Sequence, residues 1–174
     1  MTSFNRKTLL VLALAAGAGA ARAEGLYVGG GIGVPDYHST ITGVDGSGSG
    51  VGLKLYGGAD LSRNFGIEAG YVDLGHLRNG NGEVRSRGLF VDAVGRVDIA
   101  PQWSVLGTAG VADARFSGPS NTDWSAGLKL GLGVQYDLSK SLALRAQYDR
   151  YHFGSVYDGS ANIGLTTVGL KFSY

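Results

Sequence analysis

The sequence contains no cysteine. That excludes a disulfide framework, on which small exported domains commonly depend. Beyond residue 23 it also lacks any apolar run of the roughly 20 residues that a membrane-spanning helix requires. A phosphate-binding loop is absent. Gly29 to Gly33 is glycine-rich, but no Gly-Lys-Ser/Thr follows, and the context is a strand rather than a strand-to-helix turn. His38, His76 and His152 lack the spacing of metal ligands and read as solvated rim residues. Asp45-Gly46 and Asn81-Gly82 read as turn chemistry. No metal and no cofactor are expected.

A large excess of either charge is also absent. The full chain carries 15 basic and 14 acidic side chains. Its N-terminus has the organisation of an export signal. Arg6 and Lys7 precede an apolar run from Leu9 to Ala18, and Ala21-Arg22-Ala23 supplies small residues where a signal peptidase needs them. That run is too short to span a bilayer. We expect cleavage after Ala23, making 1–23 a cleaved signal peptide and 24–174 a single domain of 151 residues. Arg6, Lys7 and Arg22 leave with the signal, so 12 basic side chains then face 14 acidic ones, a net charge of −2. No basic stripe remains to bind nucleic acid.

Glycine is present in excess, at 31 residues, a content that can mark disorder. Here the glycines fall within alternating segments, and aromatic residues make up 10% of the chain. A disordered segment would show neither feature. An exported membrane chain without spanning helices satisfies its backbone groups in lipid only as a closed barrel.

A recurring turn counts the strands. It runs from Asp60 to Ile67, from Asp98 to Val105 and from Asp137 to Leu144, with starts 38 and 39 residues apart. Pro101 suits the second copy, because a turn needs no backbone donor there. Longer polar segments lie between the copies, at about Ser39 to Gly50, His76 to Val84, Ser117 to Asp123 and Ser155 to Ser160. Three turns and four loops predict eight strands, at about 26–38, 51–61, 65–75, 85–99, 103–116, 124–138, 142–154 and 161–174. Short turns on one side and longer loops on the other is the asymmetry of bacterial outer-membrane barrels. The expected fold is all-β: an eight-stranded antiparallel up-and-down transmembrane β-barrel with both termini on the periplasmic side.

The content of the two faces assigns their direction. One set reads Leu53, Leu55, Ile67, Tyr71, Val91, Leu128, Leu130, Leu132, Val134, Leu144, Val168 and Leu170. The other mixes Gly29, Gly31, Gly33, Gly131 and Gly133 with Lys54, Glu68, Asp92, Arg96, Lys129, Gln135, Arg145, Gln147 and Asp149. Eight strands leave an interior just wide enough for side chains, and glycines there make room for charged chains to pair. A soluble exterior has little use for Gly-x-Gly runs, which weaken strands. The apolar set therefore faces lipid. Phe65, Trp103, Phe172 and Tyr174 are expected in one aromatic belt near the turns, and Tyr71, Trp124 and Tyr148 in a second toward the loops.

Thr167-Val168-Gly169-Leu170-Lys171-Phe172-Ser173-Tyr174 resembles the C-terminal signal of bacterial outer-membrane barrels. Its specified positions are Thr167, Gly169, Phe172 and Tyr174. The segments 26–33, 65–75 and 142–148 are similar to the first, third and seventh strands of the OmpA-like eight-stranded family. The resemblance implies a bacterial outer-membrane location and a lumen salt-bridge cluster, whose matching residues are Glu68 and Arg145, with Lys54, Arg96, Lys129 and Asp92 as further members. It also implies partners: outer-membrane lipids including lipopolysaccharide, the barrel-assembly machinery, and periplasmic chaperones. A monomer is expected. Full-length relatives continue into a peptidoglycan-binding domain. This sequence stops at Tyr174, so that function is not implied.

The expected function is a small structural, non-enzymatic barrel whose lumen is closed by charge pairs, contributing to envelope integrity or surface contacts. The alternatives are a narrow porin-like channel lined by the same charges and a surface adhesin using its loops. A lipid A-modifying enzyme using His152, Ser155 and Asp158 is a further alternative, because a nucleophile needs a base and an orienting group close by.

Overall fold

The computed structural model describes residues 25–39, 50–79, 82–117, 122–156 and 159–174, excluding the side chains at the outer strand ends. The expected signal peptide lies outside them. Eight strands follow in order: β1 (Gly25–Ser39), β2 (Gly52–Asp60), β3 (Phe65–Asn79), β4 (Gly82–Ala100), β5 (Trp103–Ser117), β6 (Thr122–Asp137), β7 (Leu142–Val156) and β8 (Gly159–Ser173). Each pairs antiparallel with the next, and β8 pairs with β1 from Tyr27↔Ser173 to Ser39↔Ala161, closing the barrel. Closure leaves no unpaired edge, the condition for a sheet to sit in hydrocarbon.

The repeated turn has a physical basis. In the first copy the amides of Leu61 and Ser62 both donate to the Phe65 carbonyl, and Ser62 Oγ accepts from the Phe65 amide at 3.2 Å. In the third, Leu138 and Ser139 donate to the Leu142 carbonyl, and Ser139 Oγ accepts from Leu142 at 3.0 Å. The serine closes the turn through its own backbone neighbourhood, a common role for short hydroxyl side chains. The second copy has Ala100-Pro101 instead. It tightens to a two-residue connection, Pro101-Gln102, and the ladder shifts register between Asp98 and Ala100.

The loop end differs from the expectation. Of the segments predicted as loops at 76–84, 117–123 and 155–160, the described residues are strand: β3 runs to Asn79 and β4 begins at Gly82, β5 runs to Ser117 and β6 begins at Thr122, and β7 runs to Val156 and β8 begins at Gly159. Polar, glycine-rich sequence reads as loop, but backbone pairing continues above the lipid as readily as within it. Register shifts at Asp73/His76 and Phe153/Val156 mark irregularities where the hairpins extend. The loop expected at about Ser39 to Gly50 lies almost wholly outside the described residues.

The wall alternates as the sequence indicates. Leu128, Leu130 and Leu132 are 64%, 64% and 70% exposed, while Lys129 between them is fully buried. Phe65, Trp103, Phe172 and Tyr174 are exposed at the turn end. Tyr136 joins them, its ring centroid 4.9 Å from that of Trp103. Tyr71 and Tyr148, expected in the second belt, each lie six residues beyond the first residue of their strands, one outward position below Asp73 and Arg150. Trp124's side chain lies outside the described set.

Candidate functional site in the barrel lumen

From the turn end inward, the lumen is built in layers, each set by strand parity. The first is a polar mouth. A cavity of about 590 Å³ opens there, with Asp60, Arg96, Gln135, Asp137 and Lys171 in its walls. Lys171 Nζ lies 3.5 Å from Asp60 Oδ2 and 3.7 Å from the centre of the Tyr27 ring, near enough for cation–π attraction.

The second layer is one ion pair. Arg145 on β7 donates through Nη1 to Glu68 Oε1 on β3. The Tyr27 hydroxyl donates to the same oxygen at 3.1 Å, and Arg145 Nη2 donates to Gln135 Oε1 at 3.3 Å. The guanidinium carbon lies 4.9 Å from the Tyr56 ring centre. Glu68 and Arg145 are 1% and 4% exposed.

The third layer is a chain of four charges. Lys54 Nζ lies 2.7 Å from Asp149 Oδ2, Lys129 Nζ lies 2.8 Å from Asp149 Oδ1, and Lys129 also pairs with Asp92. Asp149 is the shared anion, held further by Gln147 Nε2 at 2.7 Å. The Phe90 ring sits 5.2 Å from Lys54 Nζ and 4.8 Å from Lys129 Nζ. Glycine makes this crowding possible. A Cβ on Gly131 would overlap the Asp149 carboxylate, and one on Gly110 the Asp92 carboxylate. Isolated ions would not survive such burial. They persist because each meets an opposite charge, and removing one partner strands the other.

Beyond the charges the lumen becomes apolar. Val72, Leu74, Ala112, Ala114, Ile163 and Leu165, together with Phe90 and Tyr151, form one buried cluster. The gap between the charge layers, beside Lys54, Tyr56, Arg145 and Gln147, holds about 10 Å³, room for at most one water.

Of the expected cluster, Glu68, Arg145, Lys54, Lys129 and Asp92 lie in the second and third layers. Arg96 does not. It sits at the mouth, 25% exposed, its Nε 3.7 Å from Asp98 Oδ1. Its parity is inward, but it lies only four residues from the end of β4, below Glu68 and Arg145. Sequence reasoning placed Asp149 inside without singling it out as the bridge. Its spacing from Arg145 and Gln147 was the available signal. Tyr27, Tyr56, Phe90 and Tyr151 share parity with inward charges but were not assigned as filling. The apolar cluster was missed because the polarity of the two faces inverts there: Val72, Leu74, Ala112 and Ala114 face in, while Asp73 and Asp113 face out.

Other candidates fall elsewhere. His152 faces outward, its Nδ1 2.8 Å from Asn162 Oδ1. Ser155's side chain and all of Asp158 lie outside the described set, as do the side chains of His38 and His76. At the C-terminus Thr167 is buried inside, whereas Phe172 and Tyr174 face out with ring centroids 5.2 Å apart. The Tyr174 amide donates to the Leu26 carbonyl across the closing seam.

A closed eight-stranded barrel with an apolar wall and a charged interior defines a small membrane barrel. The family model for the outer membrane protein beta-barrel domain matches residues 8–174, and the chain belongs to that family. Similar solved structures include Neisserial surface protein A, at 17% identity and TM-score 0.72 over 86% of this chain and 97% of that one. Another is Ail, the attachment invasion locus protein of Yersinia pestis, at 18% identity and TM-score 0.56 over 87% and 99%. The N-terminal β-barrel domain of Pseudomonas aeruginosa OprF matches at 14% identity and TM-score 0.59 over 87% and 100%. No curated protein matches the sequence. The family supports an outer-membrane location.

Proposed function

We propose that this chain is a structural outer-membrane barrel that does not conduct at rest, contributing to envelope integrity or surface contacts. The observation that carries this reading is the continuity of the lumen filling. The Glu68–Arg145 pair, the Lys54–Asp149–Lys129–Asp92 chain and the apolar cluster that includes Leu165 follow one another with about 10 Å³ left between the charge layers. An eight-stranded interior is narrow enough for side chains alone to fill. Planar-bilayer recording of the refolded protein tests it. The expected trace has no resolved openings, and large, long-lived conductance would overturn the proposal.

One observation favours a second reading, a narrow channel that opens when the pairs rearrange. Glu68 Oε2, Asp92 Oδ1 and Arg145 Nε are buried without a hydrogen-bond partner, and such atoms are costly to leave unmet. In this reading Glu68→Ala and Arg145→Ala raise conductance, and unchanged traces defeat it.

A further inference from the structure

The lipid-facing wall is not uniform. On β4 and β5 the outward residues Ala93, Gly95, Gly107 and Ala109 are all small, and they pair directly, Ala93 with Ala109 and Gly95 with Gly107. Large residues flank them in the same rows. One row runs Phe65, Gly95, Gly107, Leu132, Tyr148; the next runs Ile67, Ala93, Ala109, Leu130, Arg150. Paired valines close both ends of the dent, Val97 with Val105 below and Val91 with Val111 above. The result is a bounded groove of about 580 Å³, within the roughly 300–1,000 Å³ of ordinary small-ligand sites.

The groove has one charged end. Arg150 lines it, faces outward and has no ion-pair partner among the described residues. Arg87, another outward cation, is paired with Asp73 at 3.1 Å. Arg150 lies eight residues beyond Leu142, the first residue of β7. That is about 26 Å along the strand and about 20 Å above the turn end after the usual tilt, near the top of an apolar band about 25 Å tall. Its aliphatic stem can lie along the wall while the guanidinium reaches the headgroup layer.

We infer that this groove holds an acyl chain of a phosphorylated outer-leaflet glycolipid, with Arg150 binding the phosphate. Two features select this occupant. The groove descends from Arg150 toward Phe65, the direction a chain takes from the outer surface. The guanidinium fork matches phosphate geometry. A zwitterionic lipid fills the groove equally well but offers Arg150 a weaker partner. This inference stands apart from the state of the lumen.

The test is native mass spectrometry of the refolded protein in detergent, titrated with lipid A, dephosphorylated lipid A and phosphatidylcholine. The wild-type chain is expected to retain a single lipid A molecule, and Arg150→Gln to weaken retention about tenfold, as expected for loss of a charge-assisted contact. Dephosphorylated lipid A should show the same loss on the wild type and no further loss on Arg150→Gln. Gly107→Leu fills the groove, and no atom lies within 4 Å of its Cβ position, so it should abolish retention in a barrel that keeps its heat-modifiable gel mobility. Ala109→Leu is the second filling variant. Equal retention by wild type, Arg150→Gln and either filling variant would overturn the inference. So would a dimer that disappears on filling the groove, since the occupant would then be a second copy.

Discussion

In the turn half of the barrel, Leu130, Leu132 and Val134 face out while Lys129, Gln135 and Arg145 face in. In the loop half, Asp73, Arg87, Asp113, Arg150 and His152 face out while Val72, Leu74, Ala112, Ile163 and Leu165 face in. The backbone is the same on both sides of this change; the surroundings are not. Hydrocarbon rewards an apolar exterior, so the polar residues turn inward and must neutralise one another. Above the lipid, water surrounds the wall, and the ordinary arrangement of a soluble barrel returns. The outward ring from Asp73 to Arg150 therefore marks the outer membrane boundary, with Leu89 and Leu128 still apolar and exposed beside it.

The turn half is most sensitive at Asp149. Asp149→Asn leaves Lys54 with no carboxylate while Lys129 keeps Asp92. A buried charge stranded in this way costs about 3–5 kcal/mol, which urea unfolding from lipid vesicles would read as a lowered midpoint. Asp92→Asn should cost less, because Lys129 keeps Asp149. In the loop half the corresponding break is Leu165→Ala. Leu165 is fully buried, so the expected loss is about 2–5 kcal/mol from transfer and cavity together. It should not depend on salt.

A charge scan sharpens the boundary itself. Leu132→Arg places a cation in mid-wall, at an expected cost of about 2–4 kcal/mol, whereas Asp113→Arg near the boundary should cost about 0–1. Equal costs at the two sites would remove the boundary from between them. The smallest effect is expected outside both halves. Arg63 and Asp98 form a solvent-facing pair at 3.5 Å, and Arg63→Ala should change stability by no more than about 1 kcal/mol.

Strand number, direction and the identity of the lipid face were legible in the sequence because period-two alternation in 128–135 and the Asp60, Asp98 and Asp137 turns carry them locally. The charge layers were legible in membership but not in connection. Parity places Glu68, Lys54, Asp149 and Arg145 inside, but which lysine meets which aspartate depends on strand stagger around the barrel. The stagger also left Arg96 at the mouth. The loop half was misread for a different reason. Glycine and serine around residues 76–84 looked like turn chemistry, and the inversion of polarity hid the pattern that identified the strands below.

In the closed barrel proposed above, the charges are sealed from water by one another and by the apolar cluster above them. Nitrogen-15 NMR of the lysine side chains in lysine-labelled protein tests it without altering the chain, because exposed Lys140 provides an internal reference. The account predicts slowly exchanging ammonium signals from Lys54 and Lys129 at neutral pH, with none from Lys140. If all three exchanged with water at the same rate, the lumen would be hydrated through its charge layers, and the closed-barrel account would be contradicted.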